Sequence, residues 1–559
     1  MYNIPNQAVK LINALKENNF DAYLVGGAVR DLLLGKIPND YDIATSATPE
    51  DAIAVAKEQG WRTIDRLGKN FGTIIIIVGA MEFEVTTFRG ERYDRDSHRP
   101  AEIWKAKNLQ EDCRRRDFTV NAMAMDLNGV VYDFHNGRQD LQNGRLRTVG
   151  DARQRFSEDA LRMFRACRFV ADLGFAYEES KLPAHTFGAG NTAYYLSKCP
   201  VFDVSRCGGL SMERIRAELE KMLVADYAGR GFAMLVGSGL SEAKCQIKRN
   251  GEVSTIDVLP ELRHLVGLKQ NPKFHGFDAW EHTLTALDAA PEKLTVRWAL
   301  LLHDLGKGMP GVRTLNKEGQ PRDAGHEAVS AKMAEAVLKR LNYAPKLVRY
   351  ITFLVANHMI FAGFMRVAHG KLENSTDGLV VRSFASVEEQ YREVEAAMLR
   401  WLRKVVSQNL FKHESDLADA CADLVKVYLA DMGATNAGKQ RAIMDEGREL
   451  GARLVQLART KMPISTGDLQ FNTTDIGQIP AQVNVKNALT YLVKRVQAGE
   501  LPNEHNALMR ALLAKYQRPE RKSHVQKNRS GHHGSRRRHK RPVAAAEAGC
   551  NAADSSQQQ

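Results

Sequence analysis

LVGGAVRDLLLGKIPNDYDIAT, residues 24–45, decides the fold. A short β-prone run, Tyr23–Val25, enters Gly26-Gly27, and a helix is expected from about Ala28. Glycines at such a turn let backbone N–H groups approach a phosphate, and the helix start adds a favourable dipole. Arg30 falls in the first turn, where a guanidinium can reach a triphosphate. Asp40 and Asp42 follow, separated by one residue; if Tyr41-Asp42-Ile43 is a strand, both carboxylates face one side and converge on one cation. Magnesium takes one or two carboxylates plus substrate phosphates, which fits. A D-x-D pair alone is more often a solvated loop pair. After a Gly-Gly turn and an arginine-bearing helix, it reads as a metal site. A third carboxylate is on offer from Met81–Phe88, paired as a hairpin with Thr73–Val78 across Gly79-Ala80. Glu82 and Glu84 alternate onto one face of that strand, and either can be the third group.

Two further stretches extend the site. Arg114-Arg115-Arg116-Asp117-Phe118 sets three guanidiniums beside a carboxylate and an apolar run, more than a solvated basic patch requires. Ser157-Glu158-Asp159 is expected to open a helix, and Glu158–Phe169 carries Asp159, Arg162, Arg165 and Arg168 at steps of three. Three arginines without facing acids would repel one another, and a bound anion would relieve that. As readers of base edges, a carboxylate accepts from an exocyclic amine while an arginine donates to ring nitrogen and keto oxygen. An Asp/Arg pair can thus select cytosine and adenine over guanine and uracil.

Outward from this core, 559 residues imply several domains. With 44% hydrophobic and 26% charged residues, no apolar run near a membrane span and no signal-like N-terminus, the composition is that of a soluble chain with no membrane partner. Seven cysteines, at 113, 167, 199, 207, 245, 421 and 550, are odd in number and never spaced C-x-x-C, which argues against a disulfide framework and for the cytoplasm. The net charge of +13 divides into +7 on residues 518–559 and +6 on all the rest, so a polyanionic partner is suggested by both parts.

Along the chain, residues 21–150 mix short strands and helices. From about 151 the pattern turns helical, interrupted at 175–212 by Gly, Ser, Tyr and Pro, and resuming near Met212. A histidine-crowded helical block spans about 275–430, and another spans about 436–516, ending in an amphipathic helix at Glu504–Tyr516. Beyond Arg518 nothing can build a core, and the segment reads as disordered.

GGAVRD, DYDIAT, EVTTFR, RRRDFTVNAMAMD and EDALRMFRACRF together resemble the class II transfer-RNA nucleotidyltransferases, the CCA-adding enzymes. The likeness runs through residues 20–175 and resumes at MERIRAELEKML, Met212–Leu223. It implies an α+β architecture: a nucleotidyltransferase palm of mixed β-sheet and helices (1–150), then an all-helical neck with template helix and RNA-binding segment (151–250). An HD-like helical body (251–430), a helical tail domain (431–517) and a basic tail (518–559) would follow. It implies magnesium on Asp40 and Asp42 with Glu84 as third carboxylate, and the triphosphate held by Gly26, Gly27, Arg30 and Arg116. Asp159 and Arg162 would be the protein template for CTP and ATP, supported by Arg165 and Arg168, with tRNA as acceptor. The loop Arg89–Arg99 resembles the family's flexible loop, associated with switching from C to A addition.

His282, His303-Asp304, His326 and His358 form a second constellation, resembling the HD phosphohydrolase domain that some CCA-adding enzymes carry and implying a possible additional divalent metal. That domain generally closes its metal site with a downstream Asp in a helix ending in something like A-D-x-x-x-Q-N. Here Leu402–Asn409 puts Lys404 at that place, and an ammonium cannot ligate a metal. The segment 176–210 departs from the regular neck helix the resemblance implies. Three rivals stand beside this reading: a bacterial poly(A) polymerase, an enzyme adding only CC or only A, and an HD phosphohydrolase with a non-catalytic palm.

Overall fold

A computed structural model describes residues 2–64, 72–93, 98, 100–178, 199–372, 380–381, 384–436, 441–471 and 483–516. The tail 518–559, most of 94–99 and residues 179–198 of the irregular neck segment lie outside the described residues.

The N-terminal strands are β1 (Ala22–Val25), β2 (Asp42–Thr45), β3 (Arg62–Ile64), β4 (Thr73–Val78), β5 (Met81–Thr87), β6 (Arg89–Arg92), β7 (Glu102–Lys105), β8 (Met123–Met125) and β9 (Val131–Asp133). Seven form one sheet in the order β3-β4-β5-β2-β1-β8-β9, while β6 and β7 pair as a separate hairpin. All neighbours are antiparallel except β2 and β5, which run parallel with Ile43 opposite Val85. The β4–β5 hairpin forms as expected, Thr73 opposite Thr86. Strand alternation assigns the faces. Leu24, Ile43, Ile74, Ile76, Phe83, Val85, Met123 and Met125 join the main core, which also holds Leu11, Ile12 and Leu15 of the Asn6–Glu17 helix. Val25, Ala44 and Ala124 face the other way, against Phe88, Leu109 and Cys113. Asp42, Glu82 and Glu84 share this second face.

The rest is mainly helical and shares one core: buried residues are continuous from Ala8 to Met462, passing 150, 250 and 430 without a break. A small separate core, built on Leu489, Leu492, Leu508 and Leu512, serves residues 469–516, including the expected C-terminal helix, here His505–Tyr516. Two arginine sets lock residues 212–249 to residues 297–342 reciprocally. Arg297, 2% exposed, donates to the carbonyls of Leu223 and Ala225 at 3.2 and 3.1 Å, closing the Met212–Leu223 helix. In return Arg216 donates to Leu341 and Asn342 carbonyls, and Arg249 to those of Lys339 and Arg340, closing the His326–Arg340 helix. Carbonyls in and just after a last helical turn lack the usual partner along the helix, so an arginine there satisfies them, although Lys339 also accepts from the Asn342 N–H at 3.1 Å.

Three expectations are corrected. Ser157-Glu158 does not open the arginine helix. It ends a preceding one, Ala152–Glu158, started by Asp151 accepting from the Gln154 N–H, and the next helix runs Leu161–Leu173. Asp159 therefore stands at the break, its backbone extended at φ −143°, ψ 105°. The region after 151 is not wholly helical: Lys244–Arg249 pairs with Glu252–Asp257, and Arg313–Leu315 with Pro321–Asp323. Asn250-Gly251, at φ 51° and 90°, is a two-residue turn matched to hairpin twist. Finally, Pro345–Ala368 is long and apolar enough to cross a membrane by length and composition, although half of that stretch is buried within the protein.

Candidate active site and a second, histidine-lined cavity

Gly26 sits at φ 71°, ψ −133°, a conformation that a side chain disfavours. A Cβ there would meet Nη1 of Arg116 at 3.1 Å and Oδ2 of Asp42 at 3.8 Å, so the turn is flanked by both groups. The parallel register that sets Ile43 opposite Val85 puts Asp42 next to Glu84, one step back on the same sheet face. Glu82 lies further along β5, opposite Ile77 of β4. Burial, then Asp40, then Glu84 push the Asp42 carboxyl up to about 6, with Arg116 opposing. Of the two glutamates, Glu84 is the one whose charge reaches Asp42. Gathered carboxylates that repel one another in a half-buried place suit a divalent cation, which would relieve that repulsion.

The arginine run is organised by an acid that the sequence reading passed over. Asp112 is fully buried and binds Arg115 at 2.9 Å and Arg116 at 3.2 Å. Its position three and four residues ahead of these arginines on the Leu109–Arg114 helix and its C-cap is the signal that could have found it. Arg116 keeps a buried Nε without a partner beside the Gly26 turn. Arg30 forks onto Asp31 at 2.8 and 3.0 Å and reaches Asn121 Oδ1 at 2.7 Å. Gly27 begins the helix, one residue earlier than expected.

The Leu161–Leu173 arginines are not unopposed, as the sequence suggested. Arg162, 7% exposed, binds Glu158 at 2.6 Å and donates to the carbonyl of Arg115 at 3.1 Å. Arg165 binds Asp117 at 2.6 Å, and that pairing holds Asp117 down at about 2 despite burial. Arg168 binds Glu218 and Asp172, each at 2.6 Å, with its guanidinium 3.8 Å from the Phe169 ring centroid. Asp159 meets Arg214 at 2.7 Å. Arg162 and Arg165 are thus tied to the palm through the Arg115 carbonyl and Asp117, and Asp159 to Arg214 of the Met212–Leu223 helix.

In the helical half, a cavity of about 550 Å³ is lined by Asp304, Lys307, His326, His358 and Asp431 among others. His303, His326 and His358 each point Nδ1 at a backbone carbonyl, of Leu300, Asp323 and Val355, at 2.6–2.8 Å. That hydrogen bond fixes the tautomer and leaves Nε2 as the free ligand atom. The Nε2 atoms of His282 and His303 lie 3.4 Å apart, those of His326 and His358 3.1 Å. Asp304 lies 3.2 Å from both His303 and His326, so it belongs to two ligand groups, His282-His303-Asp304 and Asp304-His326-His358. Among the described residues, these two groups are where ligand atoms lie mutually within 4.8 Å; the palm carboxylates do not form one.

Asp431 completes the set and corrects the reading of Lys404. Its Oδ1 lies 2.9 Å from His282 Nε2 and 3.7 Å from His303 Nε2. Against burial, Asp304 is held well below the usual carboxylate range by His303 and by Lys307 at 2.8 Å, and Asp431 by His282 and His303, while the two acids raise His303 to about 10. Lys404, on the Val387–Ser407 helix, lines a different cavity with Glu335, Arg349 and Trp401. The closing acid comes one helix later, on Glu414–Gly433, where Ala430-Asp431 followed by Asn436 was the overlooked signal.

Comparison with known proteins finds matches in both the sheet-bearing and the helical parts. Residues 22–147 match the Poly A polymerase head domain, residues 280–385 the HD domain, and residues 205–243 the family described as "Probable RNA and SrmB- binding site of polymerase A". A CCA-adding enzyme of Bacillus pumilus (strain SAFR-032) is 42% identical over 235 residues, 42% of this chain and 54% of the relative. Another, of Geobacillus stearothermophilus, is 37% identical over 300 residues, 54% of this chain and 63% of the relative. The chain thus spans between half and two thirds of the length of the curated relatives it matches. The crystal structure of the Bacillus stearothermophilus CCA-adding enzyme in complex with CTP superposes with a TM-score of 0.52 at 26% identity, covering 92% of this chain and 97% of that one. Residues 22–147 thus match a Poly A polymerase head domain and residues 280–385 an HD domain, and the chain is similar to the CCA-adding enzymes.

Proposed function

We propose that the chain adds CCA to the 3′ end of tRNA from CTP and ATP, without a nucleic-acid template and with release of pyrophosphate. The supporting observation is the sheet face that sets Asp42 beside Glu84 and Arg116 at the Gly26 turn. On this reading residues 1–150 are the palm, 151–250 the neck, 251–430 the HD-containing body and 431–517 the tail domain, with the Glu414–Gly433 helix crossing the last bound to bring Asp431 to the HD site. Asp40, Asp42 and Glu84 hold magnesium, which when bound lowers the pKa of the RNA 3′-hydroxyl and neutralises the leaving pyrophosphate. Gly26 and Gly27 let the triphosphate approach the backbone, and Arg30 and Arg116 grip it. Asp159 and Arg162 read the base edge, while Arg165 and Arg168 hold the pocket wall. The buried thiols and the RNA substrate suit the cytoplasm.

The test is incubation of purified protein with tRNA lacking its 3′ end, offering each nucleotide singly and in mixtures. Ordered C, C, A addition supports the reading. Long A tracts would mark a poly(A) polymerase, arrest after CC or acceptance of A alone a partial enzyme, and no transfer a non-catalytic palm.

A second reading concerns the cavity: a divalent-metal phosphohydrolase. It rests on the convergence of His282, His303, Asp304 and Asp431. Release of p-nitrophenol from bis-p-nitrophenyl phosphate, dependent on added manganese or nickel, checks it.

A further inference from the structure

We propose that Arg214 is the positioning residue for Asp159, holding it apart from Arg162 so that both remain available to a base. The inference rests on the reading of Asp159 and Arg162 as base readers. An acid and an arginine three positions apart pair with each other on a continuous helix, and the break at Asp159 separates these two. A mutual pair would spend on itself the acceptor and donors that a nucleobase needs. The structure shows no ion pair between these two described residues. Arg162 turns to Glu158 and to the carbonyls of Arg155 and Arg115. Asp159 turns to Arg214, whose Nη2 lies 2.7 Å from Oδ2.

The geometry explains why a residue from elsewhere is needed. Asp159 stands between two helices in extended backbone, so neither helix fixes its side chain. One oxygen accepts from the Leu161 N–H at 3.1 Å and the other from Arg214, which defines the carboxylate plane. About four lone-pair positions exist on a carboxylate, so acceptor capacity remains for an exocyclic amine. Arg214 itself is doubly anchored: its Nη1 donates to the His98 carbonyl at 3.2 Å, and it rides on the Met212–Leu223 helix. Glu218, one turn on, binds Arg165 and Arg168, so this helix faces the template helix through two successive turns.

The test compares Arg214→Ala, Arg214→Lys and Asp159→Ala in the full chain, measuring kcat/KM for CTP and for UTP on tRNA ending two nucleotides short, where the next addition is C. The ratio of the two is independent of the active fraction, so a merely destabilised preparation leaves it unmoved. Arg214→Ala should lower the CTP/UTP ratio by about tenfold or more, mainly through KM for CTP, because an unaimed acceptor no longer rewards the right base. Arg214→Lys, keeping the charge but losing the fork, should fall between, and it serves if the alanine variant does not fold. A ratio within about twofold of wild type in both Arg214 variants, with Asp159→Ala impaired, overturns the positioning role alone. An unchanged ratio in Asp159→Ala overturns the base-reader reading itself.

Discussion

Asp431 Oδ1 lies 2.9 Å from Nε2 of His282, on a helix far downstream in the chain and beyond residues 280–385, where the HD domain match ends. The pair turns an incomplete-looking histidine cluster into a ligand set with two carboxylates.

Asp431→Ala should therefore weaken binding of manganese or nickel to the body by about a hundredfold, while Lys404→Ala leaves it unchanged. Loss of a group that only orients ligands already costs ~10–100-fold. Calorimetric titration of the metal-free protein measures both. Nucleotide transfer should be unaffected in either variant, since neither residue lies near the palm.

The raised Asp42 carboxyl predicts a pH dependence. Its folded value of about 6 stands above the ordinary 3.8, so the folded chain retains a proton that the unfolded chain has released. The contribution to stability is full at acid pH and is lost as the pH rises through that window. In chelator, Asp42→Asn should melt higher than wild type at pH 7.5, by about 1–2 kcal/mol in stability, and the difference should close towards pH 4. Divalent affinity of the palm should fall below about pH 6, because metal and proton compete for the same oxygens. Asp40→Ala, Asp42→Ala and Glu84→Ala should each abolish transfer with RNA binding largely kept.

Gly26→Ala strains the backbone and drives a methyl to within 3.1 Å of the Arg116 guanidinium. We expect a stability loss of ~1 kcal/mol or more and transfer reduced by over about tenfold. Gly35→Ala, also at positive φ but with nothing within 4 Å, is the control: it shares the backbone cost and should keep transfer.

The palm was readable because its signals are local. Gly26-Gly27, the Asp40/Asp42 spacing and the alternation of Glu82 and Glu84 each lie within a few residues of the structure they specify. What was missed depends on distance or on a break. The residues alone left Glu82 and Glu84 equal and the resemblance singled out Glu84; what places Glu84 beside Asp42 is the β2–β5 register, set by residues some forty apart. Asp159 read as helical because the surrounding sequence lacks Gly and Pro, yet its own side chain captures the Leu161 N–H and ends the helix. Asp117 and Glu218 face Arg165 and Arg168 from other elements, which no helical periodicity could reveal, whereas Asp172, four residues after Arg168, was legible. Lys404 was misassigned because a short motif fixes a register only when the fold agrees.

Residues 518–559 carry ten Lys/Arg against three Asp/Glu. Removing the chain after Tyr516 should weaken tRNA binding at low salt and flatten its salt dependence. The order of C, C, A addition should not change, because charge contacts phosphates without reading bases. Filter binding across a salt series checks it; equal affinity at every salt would assign the tail no part in RNA binding.

The reciprocal arginine caps make the two halves of this chain poor candidates for separate expression. Cutting between 257 and 279 would strip Arg216 and Arg249 of four carbonyls in one fragment and Arg297 of two in the other. Each piece alone would expose what the other covers, so the fragments should aggregate singly and reassociate when produced together. A gene split there would behave as a complementation pair.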